Sequence, residues 1–296
     1  MQQSNKPSKL KKILTADLRD LFKRKGLTDA EIEGIETKLD ELAAFSPTVG
    51  IFGKTGVGKS SLCNAVFGKE IAKISDVEAC TRQPQKIFVE LTSSGDGITL
   101  IDLPGVGENS ARDKEYEALY REWIPQLDLI LWVIRGDDRT FSTDEHFYDT
   151  VVKPEIGIAS KPFLVVVNQV DKINPIREWN EGRNEPGPNQ REVIGQRVQW
   201  AATQFGIDKS NVVAISSFEG YNIHALVEAI IESVPDSQKL GFINNVKEEV
   251  VSPLARESAL RGTIEFLRVA YQEIKPYIPQ IIAGIVWLFK RFGSKS

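Results

Sequence analysis

Apolar positions along the chain follow two rhythms. Between residues 9 and 25, Leu10, Ile13, Leu14, Leu18, Leu21 and Phe22 recur at helical spacing, and Gly26 ends the pattern. A second stripe, Ile32, Ile35, Leu39, Leu42 and Phe45, follows Thr28 and Glu31, which stand in capping-box spacing. Together they predict a helical hairpin over residues 1–46 whose apolar face needs a partner surface. From about residue 47 the runs shorten to TVGIF, KIFVELT, ITLIDL, DLILWVI, FLVVVN and NVVAIS. Helical patterns alternate with them at about 59–67, 111–124, 143–152, 190–204 and 222–233. This alternation predicts an α/β unit over residues 47–236, with a mostly parallel six-stranded sheet covered on both faces. KIFVELT and ITLIDL are separated only by SSGDG, which suits a hairpin and therefore one antiparallel edge strand. Residues 174–190, NPIREWNEGRNEPGPNQ, are polar and rich in Pro and Gly and read as a long loop.

After Pro235 only helical patterns remain, which defines a third region, 237–296. Residues 239–274 are amphipathic, with Leu260, Ile264, Leu267, Val269 and Tyr271 among the apolar positions. The apolar stretch YIPQIIAGIVWLF at 277–289 is shorter than the ~20 residues that a spanning helix needs. Its core, IIAGIVWLF, has no polar face, so it calls for burial in protein or lipid. Packing on the N-terminal hairpin is one setting. Peripheral membrane contact through 277–296 is another: Trp287, Lys290 and Arg291 suit an interface, and Lys6, Lys9, Lys11 and Lys12 suit anionic lipid. A protein partner is the third.

Composition narrows the field only a little. With 41% hydrophobic residues and a net charge of -4, the chain can build a core and has no bulk positive charge for nucleic acid. No RNA-binding module is recognisable, so RNA or ribosome binding gains no support. Cys63 and Cys80 form neither a metal-ligand spacing nor a disulfide framework. With no secretory signal at the N-terminus, a cytoplasmic protein is expected, with the inner face of the membrane as a peripheral address. Cys63 reads as core packing, and His146 and His224 have no nearby partners that would make them metal ligands.

The chemistry is concentrated in GKTGVGKSSL at 53–62, which follows a strand and opens a helix. Gly53 to Ser60 match G-x-x-x-x-G-K-[ST], the P-loop. Glycines at 53, 56 and 58 let successive backbone N–H groups turn inward around an anion, with the helix N-terminus behind them. Gly53, Lys54, Thr55, Gly56, Val57, Gly58, Lys59, Ser60 and Ser61 are thus candidate nucleotide-binding residues. Lys59 supplies charge for the β and γ phosphates, and the Ser60 hydroxyl suits Mg²⁺.

NQVD at 168–171 ends the strand FLVVV, where an open α/β sheet presents its ligand crevice. In isolation an Asn and an Asp there form turns. Downstream of a phosphate loop, Asn168 and Asp171 become candidates to read a base. A carboxylate accepts two N–H bonds, and guanine offers that pair where adenine presents an acceptor.

GKTGVGKS, Thr81 in EACTRQP, DLPG at 102–105, NQVD, and ISS at 215–217 together resemble the nucleotide motifs of translation-factor-class GTPases, most nearly the Era-like group. DVEACTR, the N-Q-x-D form and the loop INPIREW are similar to bacterial YfjP-type GTPases. The resemblance covers about residues 47–235 and implies a P-loop GTPase G domain that takes GTP or GDP and Mg²⁺. It also implies that Thr81 closes over the γ phosphate and metal, that Asp102 holds Mg²⁺ through water, and that the Gly105 N–H reaches the γ phosphate. Ser216 and Ser217 would support the base edge. On this reading Lys59, Thr81 and Gly105 serve catalysis, and Ser60, Thr81 and Asp102 the metal.

Three positions depart from the family pattern. Gln169 replaces the usual lysine of N-K-x-D, so affinity is expected to fall. Val106 follows Gly105 where many signalling GTPases carry a water-orienting glutamine. Gly56 stands where potassium-activated relatives carry Asn. Slow intrinsic hydrolysis is therefore expected, accelerated by a partner, a dimer or lipid. Arg82, Glu108, Arg112 and Arg121 lie near the switches, and the sequence selects none of them. The expected function is a GTP-hydrolysing conformational switch. A GTP-dependent membrane-associated scaffold assembling as a homodimer through G domains is an alternative, and a P-loop ATPase or kinase a weaker one.

Overall fold

The computed structural model describes residues 19–20, 22–24, 26–54, 56–68, 85–90, 97–102, 110–138, 148–270 and 279. The N-terminal lysines and, apart from Pro279, the apolar tail lie outside them. A sheet is ordered β2-β3-β1-β4-β5-β6. Its strands are β1 Thr48–Phe52, β2 Gln85–Glu90, β3 Gly97–Asp102, β4 Leu129–Arg135, β5 Phe163–Asn168 and β6 Val212–Ala214. β1 runs parallel to β3 and β4, β4 to β5, and β5 to β6. β2 pairs antiparallel with β3.

The core is built on β1, β4, β5 and β6. β4 is buried along nearly its whole length, and its side chains alternate between two apolar clusters. Leu129, Leu131 and Val133 face helices α2 (Lys59–Phe67) and α6 (Ile223–Ser233), meeting Leu62, Val66, Leu226 and Ile230. Ile130, Trp132 and Ile134 face the other way, toward α3 (Ser110–Trp123), α4 (Lys153–Ala159) and α5 (Pro188–Phe205). On that side Tyr148 stacks edge-on to Trp132 and Phe205, and burial pushes its phenol pKa up to about 12. Cys63 is buried in the first cluster.

The helices α7 (Asp236–Asn244) and α8 (Pro253–Ala270) share that first cluster through Phe242, Ala255 and Ala259. Helix α1 (Asp29–Ala43) opens on the expected capping box. The Thr28 N–H donates to Glu31 Oε2 at 2.8 Å, and the Glu31 N–H donates to Thr28 Oγ1 at 3.3 Å. Its Ile32 and Ile35 are fully buried, and Phe45 beyond it meets Phe242 with ring centroids 6.4 Å apart.

Several elements differ from the sequence pattern. Of the helix expected over 143–152, residues 143–147 lie outside the described residues; Tyr148–Val152 form a π-helical turn that hands over to α4, with Pro154 in its first turn, so the helical run reaches Ala159. Residues 174–190 are ordered by a 3₁₀ turn, Ile176–Glu178, and an Asn180–Glu185 bridge. The amphipathic run after Pro235 is broken between α7 and α8 by a 3₁₀ turn at Glu248–Val250. Among the described residues, no helix is long and apolar enough to cross a membrane.

One carboxylate ties three of these elements together. Asp128 Oδ2 accepts the Thr48 N–H at 2.8 Å at the start of β1, and Oδ1 accepts Gln238 Nε2 of α7 at 3.0 Å. Asp128→Ala is expected to lower unfolding stability by about 2 kcal/mol, since it strands a backbone N–H and removes two charge-assisted bonds. Urea titration checks this; a loss below about 0.5 kcal/mol would contradict it.

Candidate functional site

β1 ends at Phe52, and the chain turns through Gly53–Gly58 into α2. Gly53, Gly56 and Gly58 all have positive φ, at 137°, 83° and 90°. Two of them are also sterically required. A Cβ on Gly53 would lie 2.2 Å from the Val133 carbonyl oxygen, and one on Gly58 would lie 2.5 Å from Asn168 Nδ2. Gly58 is the N-cap of α2 and provides no capping side chain. Lys59 Nζ donates to the carbonyls of Gly53 at 2.9 Å and Lys54 at 3.3 Å, which holds the ammonium against the loop. Val57 is buried, Ser60 half-buried and Ser61 exposed.

The strand end carrying Asn168 lies beside this loop. Asn168 is fully buried, and Nδ2 donates to the carbonyls of Val57 at 2.9 Å and Gly58 at 3.4 Å. Its Oδ1 accepts the Ser217 N–H at 3.0 Å. Gln169, in the left-handed region at φ 60°, sends Nε2 to the Gly56 carbonyl at 2.9 Å. Its Oε1 accepts Lys172 Nζ at 2.9 Å. Asp171 sits in the 3₁₀ turn Val170–Lys172, and its Oδ1 is buried without a hydrogen-bond partner. Beyond β6, Ser216 and Tyr221 exchange backbone bonds at 3.2 and 3.0 Å, and Ser216 Oγ accepts the Glu219 N–H. The side chain of Phe218, next along, is 85% exposed.

Asp102 is the last residue of β3, in register with Ile51 of β1, so it ends the strand next to the one that feeds the glycine loop. Thr55, Thr81 and Gly105 lie outside the described residues, as do Cys80, Arg82, Val106, Glu108 and His146. Arg121 is engaged by Glu117 at 2.8 Å and Glu155 at 2.5 Å on the surface of α3. His224 Nδ1 lies 3.0 Å from the Val250 carbonyl oxygen. Among the described residues no cluster of His, Cys, Asp and Glu could hold a metal ion.

The pattern of the 50S ribosome-binding GTPase family matches residues 48–169. YkfA of Escherichia coli (strain K12) is 35% identical over 86% of this chain and 86% of its own length. YfjP of the same organism is 38% identical over 77% of this chain and 76% of its own. The chain belongs to the Era-like P-loop GTPases. GTPase Era of Aquifex aeolicus is 26% identical over 77% of this chain and 72% of its own.

Two residues of this Era-like GTPase make contacts that the sequence reading did not name. Both amide ends of Asn168 are bound to backbone, so the side chain ties the phosphate loop to the Ser216–Ser217 turn, and Asp171 is the member of the pair with an open acceptor. Gln169 keeps a bond to the loop despite losing the lysine stem, and Lys172 places its ammonium on the Gln169 amide oxygen. Sequence reasoning also missed Glu178. Its carboxylate accepts Asn189 Nδ2 at 2.6 Å and the N–H groups of Asn189 and Gln190, bonds that hold its pKa below the usual carboxylate range. The stabilisation from that cap is present above the unfolded carboxylate pKa and is lost as pH falls through the lower folded value. The only signal in the sequence was an acid ahead of a Pro-opened helix.

The contrast between Asn168 and Asp171 is testable by unfolding the nucleotide-free protein. Asn168→Ala should cost roughly 2 to 3 kcal/mol, because it strands the Val57 carbonyl and the Ser217 N–H. Asp171→Asn should leave stability unchanged or raise it, since it removes an unpaired acceptor charge. The reverse order of the two variants would contradict these assignments.

Proposed function

We propose that this chain binds GTP with Mg²⁺ and hydrolyses it to GDP and phosphate, acting as a conformational switch with slow intrinsic turnover. The observation that carries the reading is the buried, unpartnered Asp171 Oδ1 beside a glycine loop closed by Lys59. A buried acceptor without a donor is costly. Guanine's ring N1–H and exocyclic amine relieve that cost, whereas adenine sets its own acceptor against the carboxylate.

In this reading the N–H groups of residues 53–61 and Lys59 hold the phosphates, and Ser216 and Ser217 support the base edge. Ser60, Thr81 and Asp102 are the oxygen donors that would hold Mg²⁺. Their hard-oxygen chemistry fits it, and the β1–β3 register brings the Asp102 strand end next to the strand that feeds the loop. When bound, the metal supplies charge neutralisation at the phosphate oxygens. Gly105 gives its N–H to the γ phosphate, and Thr81 closes over it. Val106 cannot orient the attacking water, so a partner, a second G domain or a lipid surface sets the working rate. Residues 47–236 form the nucleotide unit, and the helical regions 1–46 and 237–296 read its state in a cytoplasmic or peripheral membrane setting.

Replacing Asp171 with Asn reverses the donor pattern at the base. Binding titrations of the variant should show GTP losing affinity by on the order of 10²-fold or more and xanthosine triphosphate gaining. An unchanged preference for GTP would overturn the assignment. In single-turnover assays dilute wild-type protein should hydrolyse GTP slowly; fast hydrolysis by monomer would refute the account of Val106.

A further inference from the structure

The 3₁₀ turn that carries Asp171 is three residues long, and a turn this short does not by itself fix where a carboxylate points. Its N–H side is tied by the Val170 N–H, which donates to the Ile215 carbonyl beyond β6, and by the Lys172 and Ile173 N–H groups, which donate to the Gln169 and Val170 carbonyls. Its C=O side is held from far along the chain. Gln190, fully buried in the first turn of α5, sends Nε2 to the carbonyls of Asp171 at 3.2 Å and Ile173 at 2.7 Å. One side-chain amide thus clasps the turn on both sides of Lys172.

Gln190 is itself held by the loop before it. The Gln190 N–H donates to Glu178 Oε2 at 3.2 Å, alongside the Asn189 N–H at 2.9 Å, so Glu178 caps the N-terminus of α5 from ten or so residues upstream. The loop folds tightly enough for this only because Gly187 lies against Glu178, where a Cβ would come within 2.8 Å of the Glu178 carbonyl oxygen and Cβ. The same loop reaches the Ser216 turn as well: Trp179 meets Tyr221 edge-on, with centroids 5.5 Å apart. Both segments that flank the proposed base site are therefore stapled by residues 174–190.

We propose that Gln190 and Glu178 are positioning residues for base selection: Glu178 fixes the start of α5, and Gln190 clamps the Asp171 turn so that its carboxylate stays aimed at the two N–H groups of guanine. The proposal rests on the reading that Asp171 recognises guanine. Its chemical consequence is specific. A loosened turn loses the paired contact to guanine first, leaves the single contact to hypoxanthine less affected, and does not touch the phosphate loop.

The test uses the full chain and calorimetric titration with Mg²⁺ and three probes: GTP, inosine triphosphate, which keeps the N1–H but lacks the exocyclic amine, and inorganic triphosphate. Gln190→Met keeps the length of the side chain and removes its donors. We expect its GTP affinity to fall about tenfold, the effect of misplacing one charge-assisted hydrogen bond. Its preference for GTP over inosine triphosphate should shrink accordingly, and its affinity for inorganic triphosphate should stay at the wild-type value. Glu178→Ala, at a half-buried position, should reproduce the pattern and serves if Gln190→Met does not fold. In an Asp171→Ala background, which leaves no carboxylate to position, Gln190→Met should cost nothing further. Wild-type GTP preference in both variants overturns the proposal, and so does an equal loss for inorganic triphosphate. If Asp171→Ala alone leaves the GTP preference intact, it is the guanine reading that fails.

Discussion

A single buried amide holds the site together. Asn168 gives both N–H groups to carbonyls of the glycine loop and takes the Ser217 N–H on its oxygen, so three segments far apart in the chain share one side chain. The constraint works both ways. Gly58 must be glycine because Asn168 occupies the space that a Cβ would fill. Asn168 in turn can reach only because β4 and β5 run parallel in a register that pairs Arg135 with Asn168 at their ends. A buried amide with every group satisfied rigidifies its surroundings; one with a partner missing weakens them.

Four consecutive residues divide their contacts. Asn168 and Gln169 are turned onto the loop at Val57, Gly58 and Gly56, and only Asp171 keeps a buried oxygen without a donor. The sheet makes the arrangement affordable: strands buried on both faces bring apolar clusters up to the strand ends, so the polar groups there are dry and their geometry counts. The loop of residues 174–190 adds the outer support, with Glu178 and Gln190 carrying the Asp171 turn from behind.

Much of this was legible in the sequence. The α/β alternation, the P-loop spacing and the family could be read because each rests on local chemistry: apolar period, glycines at fixed offsets, a lysine followed by serines. The capping box at Thr28 and Glu31 was readable for the same reason. What stayed hidden depends on contacts between distant residues. That Asn168 bonds the Val57 carbonyl and the Ser217 N–H is absent from the local pattern. The bond from the Gln169 amide to the Gly56 carbonyl is likewise absent from the local pattern. Gln190 sits where the polar Pro-rich stretch meets the expected helix, and nothing in that local pattern marks it as fully buried. The helical run expected to stop at 152 reaches Ala159, through a π-helical turn at Tyr148–Val152 and with Pro154 in the first turn of α4.

The central claim is that a backbone cradle, one ammonium and one open carboxylate select a guanine nucleotide. Its most direct test is calorimetric titration of the wild-type full chain with GTP and with ATP, each with Mg²⁺. The account predicts saturable heat with GTP and affinity for ATP lower by orders of magnitude. Equal affinities, or no heat with GTP from folded protein, would contradict it.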